Sequence, residues 1–206
     1  MPPGQRLDES DTPWLEQDTE SDEGDFIPEY DISSSASDFN MITISNYIES
    51  GAIVLPEFQR HYTWDKRRAS KFIESLLLGL PIPQIFLYEE RKNRFLILDG
   101  QQRLMSIYYF IKKSFPKPNK RRELRDILIR HGSIPKEYFE DGELFQEFSL
   151  TLPKREGKVT SKFEGMSYDT LGDHKPSFDL RSIRTIVIKQ NEPKTITPPL
   201  SRCTTD

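Results

Sequence analysis

The octapeptide Ile97-Leu98-Asp99-Gly100-Gln101-Gln102-Arg103-Leu104 joins two different hydrophobic periods, and that switch leaves the chain few ways to fold. Before it, Phe95, Leu96, Ile97 and Leu98 form a short continuous apolar run, the pattern of a strand buried on both faces. After it, Leu104, Ile107, Tyr108 and Ile111 recur at i, i+3, i+4 and i+7, one face of a helix. A strand therefore turns tightly at Asp-Gly into a helix whose first turn carries Gln101, Gln102 and Arg103. The first amides of a helix have no intrahelical acceptor and sit at the positive end of its dipole, so the place suits an anion. Arg103 adds a planar fork of donors matched to phosphate or carboxylate. Asp99 as a plain N-cap and Gly100 as a plain turn residue would explain the turn alone. Two glutamines and an arginine exceed what an amphipathic helix requires there.

Charge divides the chain unevenly. Residues 1–40 hold twelve Asp and Glu against the single Arg6, while the remainder, with 28 basic and 21 acidic residues, is formally +7. The acidic segment is rich in Ser and Pro, lacks apolar periodicity and is expected to be a disordered tail. Such a tail either stays solvated or screens a basic groove; Trp14, Phe26, Ile27 and Tyr30 are its candidate anchors. The one cysteine, Cys203, excludes an internal disulfide and fits a reducing cytoplasm. No stretch has the length and apolarity of a membrane span, so no membrane partner is expected.

From residue 41 the pattern sharpens. Ile44, Tyr47 and Ile48 follow Thr43, read as an N-cap, and Gly51 closes a short helix. Ile53–Leu55 reads as a strand leading into the aromatic, basic decapeptide Pro56–Asp65, with Phe58 and Trp64 turned to the core and Gln59, Arg60 and His61 exposed. Asp65 caps a helix striped by Ala69, Phe72, Ile73, Leu76, Leu77 and Leu80, which Gly79 and Pro81 stop. Strands Gln84–Tyr88 and Arg94–Leu98 form an antiparallel pair around Lys92-Asn93. Beyond the central helix, Lys112, Lys113, Lys117, Lys120, Arg121, Arg122 and Arg125 cluster around a helix marked by Leu124, Ile127 and Leu128. This is either a solvated face or, through Lys112, Lys113, Lys120, Arg121, Arg122 and Arg125, a contact with a nucleic-acid backbone. Leu144–Leu152 and Lys158–Glu164 read as strands, Asp179–Ser182 as one helical turn, Ile183–Lys189 as a strand, and 191–206 as an extended or frayed tail.

Five motifs in order then resemble the N-terminal domain of GmrSD-type restriction endonucleases, a ParB/sulfiredoxin-like domain. They are Leu55-Pro56-Glu57-Phe58-Gln59-Arg60, Tyr62-Thr63-Trp64-Asp65, Phe72–Gly79, Pro81-Ile82-Pro83 and Asp99–Leu104, with a weaker match at Ile183–Gln190. The resemblance implies an α+β fold, a small mixed sheet flanked by helices, over residues 41–190. It implies a nucleotide site at Asp99, Gly100, Gln101, Gln102 and Arg103, faced by Gln59 and Arg60. Asp99, Gln102 and Arg103 would be its catalytic residues, Asp99 its Mg²⁺ ligand, and a nucleoside triphosphate its cofactor. DNA and a separate nuclease module would be the partners of a cytoplasmic restriction or phage-defence system. His61, His131 and His174 lack metal-ligand spacing, so the chain is expected not to cut DNA by itself. The family's helical continuation past Ile183–Lys189 is not matched, so a C-terminally truncated domain is expected. Two alternatives remain open: a non-catalytic DNA-binding module, and an inactive, truncated domain.

Overall fold

Asn40 ends one strand and starts a helix. Strand β1 (Ile32–Asn40) runs directly into α1 (Met41–Glu49), and the Asn40 side chain accepts a hydrogen bond from the Thr43 amide at 2.9 Å. The computed structural model describes residues 31–56, 60–140, 142–153 and 161–191. Two expectations change here. The N-cap of α1 is Asn40, not Thr43, and residues 32–40 belong to the sheet and not to a disordered tail. β1 pairs with the last strand along its whole length yet exposes most of its side chains, so backbone bonds hold it and no apolar period announces it. Phe39 anchors its end against Tyr47 and Phe95, with ring centroids 5.6 and 6.4 Å away. Residues 1–30 of the expected tail lie outside the described residues.

The chain continues through β2 (Ile53–Val54) to α2 (Lys66–Leu77), where Asp65 accepts from the Arg68 amide at 2.6 Å as the sequence predicts. Gly79, at φ +81°, ends that helix. The hairpin β3 (Ile85–Arg91) and β4 (Arg94–Asp99) turns at Asn93, φ +61°, and delivers α3 (Gln101–Ile111). There follow β5 (Ser114–Pro116), α4 (Arg121–His131), the single turn α5 (Glu137–Glu140), β6 (Phe145–Glu147), α6 (His174–Asp179) and β7 (Ser182–Gln190).

The main sheet has the order β1-β7-β3-β4-β2 and is mixed: β1/β7 and β3/β4 are antiparallel, β7/β3 and β4/β2 parallel. β5 and β6 form a separate antiparallel pair. The fold is α+β, as expected. Ile85, Leu87, Ile97, Ile183 and Val187 are buried, while alternate residues of the same strands are more exposed. The sheet thus has one well-covered face. α3 is the axis of the core: Leu104–Phe110 are all buried, and Phe110 meets Phe148 and Phe178 edge-on at 5.4 and 5.6 Å. Each such ring contributes about 1.5–3 kcal/mol by burial.

Three further expectations change. β4 is not buried on both faces, because Leu98 is 39% exposed and Ile97 alone among residues 95–98 is fully inside. The expected strand Leu144–Leu152 shortens to residues 145–147, and residues 162–165 form turns where Lys158–Glu164 reads as a strand, with 158–160 outside the described residues. A helix ends at Asp179, and Ser182 already belongs to β7. Asn191 donates to the Asp31 carbonyl at 2.8 Å, and 192–206 lie outside the described residues.

Candidate functional site

Gly100 is what lets β4 become α3. It sits at φ +97°, and a Cβ there would collide with Ile85 Cδ1 of β3. The helix therefore starts close against the sheet, with no side-chain cap.

The three polar side chains of that turn diverge. Gln101, only 6% exposed, donates from Nε2 to the Arg60 carbonyl at 2.7 Å. Gln102 Oε1 accepts from the amides of Thr63 and Trp64 at 2.8 and 3.1 Å. Arg103 donates to the Pro83 carbonyl at 2.8 Å and to Asp99 Oδ2 at 2.7 Å. From the other side, the Arg121 guanidinium of α4 donates to the carbonyls of Thr63 and Trp64 at 3.0 and 2.9 Å and lies over the Tyr62 ring. Tyr62, buried against Tyr109 and Phe115, shares a 2.7 Å hydrogen bond with Ser106, and burial raises its phenol pKa. A loop with little regular structure is thus held through its backbone by side chains of two helices. The two glutamines, expected as nucleotide ligands, line the cleft described next while their amides hold this loop.

The loop, α2 and the β4–α3 junction enclose an open cleft of about 460 Å³. Among the described residues its cations are Arg60, Arg68 and Arg103, its one acidic side chain is Asp99, and its apolar wall is Trp64, Phe72, Pro83 and Leu98. The structure therefore gathers Arg60, Asp99, Gly100, Gln101, Gln102 and Arg103 at one place, while Gln59 lies outside the described residues. Arg60 and Arg68 make no ion pair among the described residues, and the Arg68 guanidinium rests 4.8 Å from the Trp64 ring centroid. Asp99, 66% exposed, is paired with Arg103. Among the described residues no group of three His, Cys, Asp or Glu side chains could hold a metal ion.

Trp64, Arg68, Phe72 and Leu98 are the lining that sequence patterns assign elsewhere. Trp64 and Phe72 read as core, and both do pack against it while also walling the cleft; Leu98 reads as a doubly buried strand residue, and Arg68 sits on the polar face of α2. The available signal was spacing, since Phe72 follows Arg68 by four residues on α2, one helix face beside the loop that carries Trp64.

The basic cluster disperses. Lys112 pairs with Glu49 at 2.8 Å, Lys113 with Asp169 at 2.6 Å, and Lys120 with Glu143 and Glu123 at 2.6 and 3.1 Å. Arg121 points inward to the loop, Arg125 lies 3.6 Å from Asp126, and Arg122 is exposed without an ion pair among the described residues. Among the described residues no helix is long and apolar enough to cross a membrane.

A protein of Methanocaldococcus jannaschii known only as uncharacterized is 30% identical over 105 aligned residues, covering 39% of this chain and 18% of its own length. The chain thus spans about a fifth of that relative. No solved structure matches. The model of the GmrSD restriction endonuclease N-terminal domain matches residues 40–196, which takes in every element from α1 to β7 and the whole cleft. The chain belongs to the GmrSD restriction endonuclease N-terminal domain family.

Proposed function

We propose that the cleft at the β4–α3 junction binds a nucleoside triphosphate, and that the domain is the nucleotide-responsive part of a DNA-restricting, phage-defence system whose nuclease lies in another module or subunit. The observation that carries this is the convergence of Arg60, Arg68 and Arg103 with the first turn of α3 on one open cleft. Among the described residues, three guanidiniums against one carboxylate leave an excess positive charge that a polyphosphate neutralises. Arg103 is already oriented by Asp99 and Pro83, so little freedom is lost when it engages a phosphate. Mg²⁺ would enter with the triphosphate, and Asp99 is the residue of the cleft that would supply a protein oxygen to it. Hydrolysis would fall to Asp99, Gln102 and Arg103: Asp99 to orient water, Arg103 to balance charge, and Gln102 to keep the loop closed over the site. DNA binding through the basic cluster has weaker support, since four of its six basic residues, Lys112, Lys113, Lys120 and Arg125, are in ion pairs and Arg121 is turned inward.

Calorimetric titration of the full chain with ATP, GTP and CTP in the presence of Mg²⁺ tests this. Arg60→Ala removes an exposed cation without touching a hydrogen bond of the fold among the described residues, and binding should weaken about 10- to 100-fold. Arg103→Ala should weaken it at least as much. No binding by a cooperatively folded chain, or unchanged affinity in both variants, would overturn the reading.

A further inference from the structure

The cleft is not built for phosphate alone. One side of it is apolar, formed by Trp64, Phe72, Pro83 and Leu98, and Leu98 is a large hydrophobic side chain left 39% exposed. A bare polyphosphate gains nothing from such a wall, whereas a nucleobase does. We propose that Trp64 is a stacking platform for the base of the bound nucleotide, with Leu98 and Phe72 closing the apolar pocket around it. This rests on the nucleotide reading above and assigns the part of the site that takes the base.

Three features fit Trp64 to this role. Its ring is braced edge-on by Phe72, with centroids 5.6 Å apart. Its backbone is fixed on both sides, the amide by Gln102 and the carbonyl by Arg121. The Arg68 guanidinium lies over its ring, 4.8 Å from the centroid, which shows that the indole already serves as a platform for a planar cation. An immobilised aromatic ring loses little entropy when a base stacks on it. Stacking is tolerant of base identity because every base has a π-face, and larger rings gain more. The site should therefore accept all common nucleotides, purines several-fold more tightly than pyrimidines.

Tryptophan emission tests this directly. The chain has two tryptophans, so a Trp14→Phe variant of the full chain leaves Trp64 as the sole reporter. ATP and inorganic tripolyphosphate, each with Mg²⁺, are titrated while emission excited at 295 nm and calorimetric heat are both followed. ATP should quench the emission and bind about 5- to 100-fold more tightly than tripolyphosphate, which should bind without quenching. Trp64→Leu should remove ATP's advantage while leaving tripolyphosphate affinity unchanged, and Trp64→Phe should restore part of it, with thermal melts confirming that both variants fold. Binding of ATP that neither quenches Trp64 nor weakens in Trp64→Leu would overturn the platform while sparing the phosphate site. Absence of binding by both ligands would overturn both.

Discussion

At the scale of single residues, Gly100 carries more of the site than any charged group. A side chain there meets two separate obstacles: the left-handed backbone at φ +97°, and Ile85 of β3, whose side chain is fully buried and cannot swing away. The backbone strain alone costs about 1–2 kcal/mol, and displacing a packed core residue adds about 1–3. Gly100→Ala should lower the unfolding free energy by about 2–5 kcal/mol in a urea melt. Ile85→Val in the same chain shortens the obstructing side chain and should recover part of that loss. An unaffected melt for Gly100→Ala would mean the β4–α3 junction can reshape. The Asp-Gly turn and its helix are legible in the sequence because both periods are strong. The destinations of Gln101 and Gln102 are not, because their partners are backbone groups of residues 60–64, some 38 to 41 positions away. Leu98 misleads for a related reason: a continuous apolar run reads the same whether its second face meets a helix or opens on a cleft.

Among elements, the decisive one has almost no regular structure. Residues 60–64 are held by Gln101 and Gln102 of α3 and by Arg121 of α4, so α4 reaches the cleft through the backbone of Thr63 and Trp64. Arg121 counts by composition as one more cation in a basic cluster, yet the fold uses it as a brace. Arg121→Met keeps a long unbranched side chain at the position but removes both hydrogen bonds and the guanidinium's contacts with the Tyr62 and Phe115 rings. It should cost about 1–2 kcal/mol of stability and weaken nucleotide binding several-fold, with little change in affinity for bulk DNA. A DNA affinity that falls with Arg121→Met as steeply as with Arg122→Glu would instead assign Arg121 to a nucleic-acid surface. β1 shows the opposite limit of sequence reading. Its serines carry no hydrophobic signal, and only the β7 ladder and Phe39 place it, so a domain boundary drawn at residue 41 by composition cuts away an edge strand and the Asn40 cap.

For the molecule as a whole, the core has an unusual sensitivity to base. Tyr62, Tyr108 and Tyr109 gather around α3, with Tyr109 placed 5.3 Å from Tyr62 and 5.8 Å from Tyr108. Burial raises the pKa of all three phenols well above the ordinary value near 10. In the unfolded chain they ionise near pH 10, so there the unfolded state loses protons that the folded state keeps. The stabilisation is complete below pH 10 and is lost as pH rises beyond it. Each phenol contributes a slope of about 1.4 kcal/mol per pH unit, and the three together about 4. For a domain of ordinary stability, about 5–15 kcal/mol, that is enough to unfold it within a few units above pH 10. Tyr108 isolates one member, because its hydroxyl is buried and has no hydrogen-bond partner among the described residues. Tyr108→Phe should therefore be neutral or stabilising by about 1 kcal/mol at pH 7, and should reduce the alkaline slope by about one third. Urea melts from pH 8 to 12 on the full chain and on Tyr108→Phe measure both quantities. A variant that is less stable at neutral pH would show that the hydroxyl has a partner in solution. An unchanged alkaline slope would show that Tyr108 ionises as readily in the folded core as outside it.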